Sequence, residues 1–123
     1  MKQISTKKAP QAIGPYSQAI MSGNIVFCSG QIAIDPTTNE YKTGTITEET
    51  TRVIENLKAV LDKANTGLDK AIKVTVYLSN IDNFIEMNKV YEKYFSKRPA
   101  RSTVEVSKLP KGARVEIDLI AEI

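Results

Sequence analysis

The apolar residues change period twice between positions 53 and 95, which restricts the chain to folds where helices and strands alternate. Val53, Leu57, Val60, Leu61 and Ala64 recur at helical spacing. Ile72, Val74, Val76 and Leu78 then alternate with Lys73, Thr75 and Tyr77, before Phe84, Met87, Val90, Tyr91, Tyr94 and Phe95 return to steps of three and four. A helical stripe and a strand face must each be buried against something, and helices laid on a sheet satisfy both. Thr45 and Glu48 fit a capping box before the first helix, which Asn65-Thr66-Gly67 stops. Asp82 fits the N-cap of the second helix, and Pro99 with the residue before it ends that helix.

The flanking segments read as strands. Ser17 to Ser22 and Ile25 to Ser29 are separated by Gly23-Asn24, a pair that tolerates the positive φ of a tight hairpin. Asp35-Pro36-Thr37-Thr38-Asn39 is turn chemistry. Ser102 to Lys108 and Ala113 to Ile123 close the chain, joined by a reversal at Leu109-Pro110-Lys111-Gly112. The order β-β-α-β-α-β-β implies a single α+β domain over residues 1–123, with two helices packed on a mixed sheet. If both helices cover one face, Thr75, Tyr77 and Ile120 fall on the other. That face is partly apolar, and it is either buried by an oligomer or left exposed in a monomer.

Composition limits the chemistry more than the fold. The 123 residues include no histidine and one cysteine, so the commonest general base is missing and no zinc or iron–sulfur set can be assembled. Cys28 lies in the run Ile25-Val26-Phe27-Cys28 and reads as packing. Any catalysis must use carboxylates, arginine, hydroxyls, backbone amides and water. A charge of +3 spread along the chain favours anions without the basic stripe that nucleic acid binding requires. No segment approaches the roughly 20 apolar residues of a membrane span, and no apolar run follows the charged start, so a soluble, cytoplasmic protein is expected.

The polar residues near the C-terminus form one constellation. With Val104 and Val106 assigned to the core, Arg101, Thr103 and Glu105 point the other way; with Val115, Ile117 and Leu119 in the core, so does Glu116. Arg101 and Glu116 are thus expected to share a face. On adjacent antiparallel strands, such a pair is either a cross-strand ion pair worth about 0.2–1 kcal/mol or part of a site.

Pro99-Ala100-Arg101-Ser102, followed by Val104, Leu109 and Val115-Glu116-Ile117, resembles the C-terminal signature of the RidA (reactive intermediate deaminase, YjgF-type) family. Ala12-Ile13-Gly14-Pro15-Tyr16-Ser17-Gln18-Ala19 and Ser29-Gly30-Gln31-Ile32 resemble its N-terminal segments, and Glu55 to Leu61 and Met87 to Tyr91 its helices. The likeness runs from about Ala9 to Ile123. It implies a chorismate-mutase-like α+β domain, a six-stranded mixed sheet with two helices on one face, assembled as a homotrimer with sites between subunits and no cofactor.

The activity implied is hydrolysis of 2-imino acids, formed from enamines that pyridoxal-phosphate dehydratases release, to 2-oxo acids and ammonia. Arg101 matches the family arginine that binds the substrate carboxylate, a task its planar fork suits. Glu116 matches the acid that positions or activates water. Tyr16 matches a residue lining the site, although an aromatic after Gly14-Pro15 is also ordinary apolar cover. Ser29 and Gly30 match a strand end close to the ligand, or are a plain turn. Asn88 interrupts an apolar stripe and suits a substrate contact or an anchor between elements. Thr103 stands where several relatives carry cysteine, which excludes a thiol mechanism but leaves backbone donation to the carboxylate. The segment Phe95-Ser96-Lys97-Arg98-Pro99 is short beside many relatives. Two other readings remain: a non-catalytic sensor of 2-oxo acids using the same arginine, and an RNA-acting translation inhibitor, which the mild charge argues against.

Overall fold

The computed structural model describes residues 1–123. The chain runs β1 (Lys2–Ile4), β2 (Ala19–Ser22), β3 (Ile25–Gln31), β4 (Ile34–Asp35), β5 (Glu40–Tyr41), α1 (Ile46–Lys63), β6 (Ala71–Leu78), α2 (Phe84–Tyr94), β7 (Ala100–Glu105) and β8 (Val115–Glu122). One sheet has the order β1-β2-β3-β8-β6-β7, and β4 and β5 form a separate hairpin around the Asp35–Asn39 turn. The sixth strand is β1, a segment without an apolar pattern of its own.

Local chemistry sets the helix ends. The Thr45 hydroxyl accepts from the Glu48 amide at 3.1 Å, and the Glu48 carboxylate accepts from the Thr45 amide at 3.0 Å. At the other end Asn65 takes φ 60°, and the Thr66 amide donates to the Leu61 carbonyl at 3.1 Å. Asp82 does not cap α2. A 3-10 turn over Ile81–Asn83 precedes the helix, and Asn80 caps it by accepting from the Asp82 amide at 2.9 Å. Glu105 holds the Ile81 amide at 2.8 Å, and the cap falls at Asn80, two residues before Asp82.

The core lies between the helices and one sheet face. Val53, Ile54, Leu57, Val60 and Leu61 of α1 and Val74, Val76, Leu78, Val115 and Ile117 of the sheet are fully buried, so truncating any one of the leucines to alanine should cost about 2–5 kcal/mol. The opposite face carries Thr75, Tyr77, Asp118, Ile120 and Phe27, none of them buried. No helix is long and apolar enough to cross a membrane.

Topology changes the expected placement of the C-terminal strands. β7 is parallel to β6, with α2 as the crossover, and β6 separates it from β8. Arg101 and Glu116 are therefore not on adjacent strands. Their faces differ as well. Arg101 pairs with buried Val74 and Thr103 with buried Val76, so both point toward the helices. Glu116 pairs with Tyr77 on the opposite face. Val104 is 43% exposed on that same opposite face, so its apolar character misidentified the core side of β7.

Candidate active site

Two separate half-sites carry the residues singled out above. The first is built by α2 and β7. Phe84, Asn88 and Tyr91 stand four and three residues apart on one side of α2, facing the start of β7. The Arg101 guanidinium carbon lies 4.6 Å from the Tyr91 ring centroid and 5.4 Å from that of Phe84, and Nη1 donates to the Asn88 Oδ1 at 2.7 Å. Asn88 is thus an anchor that orients the arginine. No carboxylate of the chain forms an ion pair with Arg101, and its side chain faces a groove of about 670 Å³ between the end of α2 and β7. A charged fork held this way, without an ion-pair partner, has the chemistry to receive an anion by two parallel hydrogen bonds.

The backbone adds donors beside it. The Val106 amide donates to the Leu78 carbonyl at 2.8 Å, so the even-numbered amides of β7 point toward β6. Strand alternation turns the amides of Arg101 and Thr103 outward along the free sheet edge. The Thr103 side chain is directed under α2, where its hydroxyl is buried without a partner. Burial raises the Tyr91 hydroxyl pKa, partly opposed by the neighbouring Arg101 charge.

The second half-site lies on the open face, around Glu116. The register between β3 and β8 shifts between Cys28 and Gln31, and Gly30 sits in that bulge. A Cβ on Gly30 would stand 2.6 Å from Glu116 Oε2, so any larger residue would push the Glu116 carboxylate out of its present position. Burial pushes the Glu116 carboxyl above its ordinary range, and the negative charge of Asp118 pushes in the same direction. Asp118 itself accepts from the Tyr77 hydroxyl at 3.0 Å. Glu116, Gly30 and Tyr16 line a cavity of about 320 Å³ with Ile13, Pro110 and Lys111.

Tyr16 reaches that cavity because its segment is tethered. Gln18 is buried; its side-chain Oε1 accepts from the Thr6 amide at 2.7 Å, and its Nε2 donates to the carbonyls of Thr6 at 3.0 Å and Pro10 at 2.7 Å. Gly14 at φ 121° then turns the chain so that the half-exposed Tyr16 ring covers the cavity. Ser29 does not line it. Its hydroxyl donates to the Ser17 carbonyl at 2.6 Å, which ties β3 to the tethered segment. Cys28 is buried, and burial pushes its thiol up to about 12, so it is packing.

The half-sites do not meet within one chain. Two strand spacings of about 4.8 Å and three residues at about 3.3 Å put the Cα atoms of Arg101 and Glu116 roughly 14 Å apart, with side chains on opposite sides of the sheet. The sequence reading missed Phe84 and Tyr91 as supports of Arg101, counting both as core. It also missed Glu49, fully buried four residues before Val53 on the apolar stripe. Glu49 forms an ion pair with Arg114 and accepts from Tyr41 at 2.6 Å, joining α1 to the residue that precedes β8. A carboxylate on an apolar stripe was the available signal.

The family described as Endoribonuclease L-PSP matches residues 6–123. A RutC family protein of Pyrococcus abyssi is 54% identical over 119 residues, 96% of this chain and 94% of its own. A 2-iminobutanoate/2-iminopropanoate deaminase of Dermatophagoides farinae is 46% identical over 121 residues, 98% of this chain and 94% of its own. Among solved structures, a protein of the conserved Rid family from Yersinia pestis superimposes with a TM-score of 0.96 at 49% identity, covering 99% of this chain and 98% of that one.

Proposed function

The chain belongs to the RidA family, whose members include the L-PSP and RutC proteins, and from that premise we propose that it hydrolyses 2-imino acids to 2-oxo acids and ammonia. The observation that carries this reading is Arg101, oriented by Asn88 and two aromatic rings yet without a carboxylate of its own. A substrate carboxylate docks on its free N–H groups and on the outward Thr103 amide, which fixes the neighbouring C=N carbon in space.

Water then adds across C=N. Its oxygen bonds to C2, and the proton that water gives to Glu116 is passed on to the nitrogen, which takes the electrons of the broken C=N π bond. The resulting carbinolamine expels ammonia as its hydroxyl proton is transferred to the departing nitrogen and C=O forms, leaving Glu116 ionised again. A carboxylate whose pKa lies above the usual range is a better base for this step than an ordinary one.

Because Arg101 and Glu116 face opposite sides of one sheet, the working site takes Arg101 from one chain and the Tyr16–Gly30–Glu116 half from another. The assembly proposed is a homotrimer closed by contact through the partly apolar open face. The test couples a threonine or serine dehydratase to this protein and follows 2-oxo acid release with an amine scavenger present. Wild type should accelerate release, and Arg101→Ala should lose about 100-fold or more of that effect while keeping its fold and assembly. Arg101→Lys should also fail substantially, because a point ammonium cannot grip a carboxylate by two parallel bonds. Full activity in Arg101→Ala would refute the reading; no acceleration by folded wild type would favour a 2-oxo acid sensor.

A further inference from the structure

The groove that receives Arg101 contains a second arginine that the mechanism above does not use. Arg98 lines it from the turn leading into β7, together with Tyr91 and Phe95, whose rings stack at 4.4 Å. Glu92 is the only acid along the groove, and it forms no ion pair with either arginine. Two arginines outside any ion pair thus border the same space, Arg98 from an exposed position at its rim.

The backbone at Arg98 is unusual. Its φ is 55°, the left-handed region that glycine or asparagine occupies most readily, and its amide donates to the Phe95 carbonyl at 3.0 Å to close the turn. Pro99 follows and disfavours the right-handed helical region at Arg98. An arginine held in a conformation that disfavours it invites a role for its side chain. Arg101 follows three positions later, so their Cα atoms stand at most about 10 Å apart. Two arginine side chains of that spacing can close on the ends of one small diacid.

We infer that Arg98 is a second anion anchor of the Arg101 groove, and that the site prefers substrates with an acidic side chain, the four- and five-carbon 2-imino diacids. The inference rests on the imine-hydrolysis reading. In it Arg101 holds the carboxylate next to the C=N carbon and Arg98 holds the distal one. Water still adds to C2 and ammonia still leaves, with the distal carboxylate unchanged. Glu92 limits the preference by opposing part of the added positive charge.

The test compares 2-iminopropanoate with 2-iminosuccinate and 2-iminoglutarate, each released in situ by an amino-acid oxidase in the presence of catalase. Wild-type protein is set against Arg98→Gly, a substitution that suits the left-handed turn and so preserves the fold. The expected result is about a tenfold fall in kcat/KM for the diacid imines with the monoacid imine changed less than twofold, the behaviour of a lost charge-assisted contact to one end of the ligand. An unchanged ratio of diacid to monoacid rates overturns the assignment of Arg98. If wild type hydrolyses no imine at all, the deaminase reading fails by itself. Calorimetry with 2-oxoglutarate and 2-oxobutanoate then decides Arg98 separately. Tighter binding of the diacid, lost in Arg98→Gly, supports the anchor, and equal binding of the two acids refutes it.

Discussion

If each site draws Arg101 from one chain and Glu116 from the next, two inactive variants should restore activity when their subunits are mixed. Arg101→Ala leaves the Glu116 half-site intact, and Glu116→Gln leaves the Arg101 groove intact, because the two residues lie on opposite faces with another strand between their own. In a ring assembled at random from equal amounts, a complete site needs a Glu116→Gln chain on its arginine side and an Arg101→Ala chain on its carboxylate side. Each condition is met half the time, so about a quarter of wild-type activity should return. The assay is the dehydratase-coupled release of 2-oxo acid, run on variants co-refolded from denaturant with distinguishable tags that verify mixed oligomers. Activity at background in verified mixed oligomers would refute the two-chain site. A site completed within one chain predicts that same failure.

Asn88→Asp should convert the anchor into an internal competitor, since it places a full carboxylate where the neutral Oδ1 now stands 2.7 Å from Arg101. Steady-state kinetics should show KM raised about tenfold with kcat changed little, and an unaltered KM would mean that the neutral acceptor at this position is unimportant. The raised pKa of Glu116 has two consequences. As a base it must be ionised, so activity should fall with pH through a value above the ordinary carboxylate range, and Glu116→Gln should leave no such limb. For stability, a folded-state pKa above the unfolded one means that the folded chain binds more protons in that window, so stability drops as pH rises through it. Glu116→Gln should therefore melt at a higher temperature than wild type at neutral pH although it is inactive, and a lower melting temperature would contradict the burial of this charge.

What was legible in the sequence was what periodicity and capping record. The stripe on α1, the alternation in β6 and the Thr45–Glu48 box each involve residues near one another in the chain, where spacing determines geometry. Strand neighbours are different. Nothing in the spacing of Arg101 and Glu116 reveals that β6 enters between their strands, and a parallel β6–β7 pair leaves the same alternation as an antiparallel one. The side to which Arg101 points was misread because Val104 was taken as a core marker. That rule works for a face covered by helices against a solvated face, and it fails where the second face is itself partly apolar. Asn88 was legible as an irregularity in a stripe, but its partner was not, because Arg101 lies thirteen residues away across a loop. Gly30 could be read as a close approach, and only the bulge in β3 shows that Glu116 is what approaches.

The supports of Arg101 come from a single helix, and this separates what the chain can alter cheaply from what it cannot. One residue inserted between Phe84 and Tyr91 would rotate the downstream side chains by about 100° and leave the guanidinium without its rings or its acceptor. The turn at Phe95–Pro99 contributes none of those contacts. Insertions or exchanges there would reshape the mouth of the groove and leave the carboxylate grip in place, so ligand range can drift while the anchor stays constant.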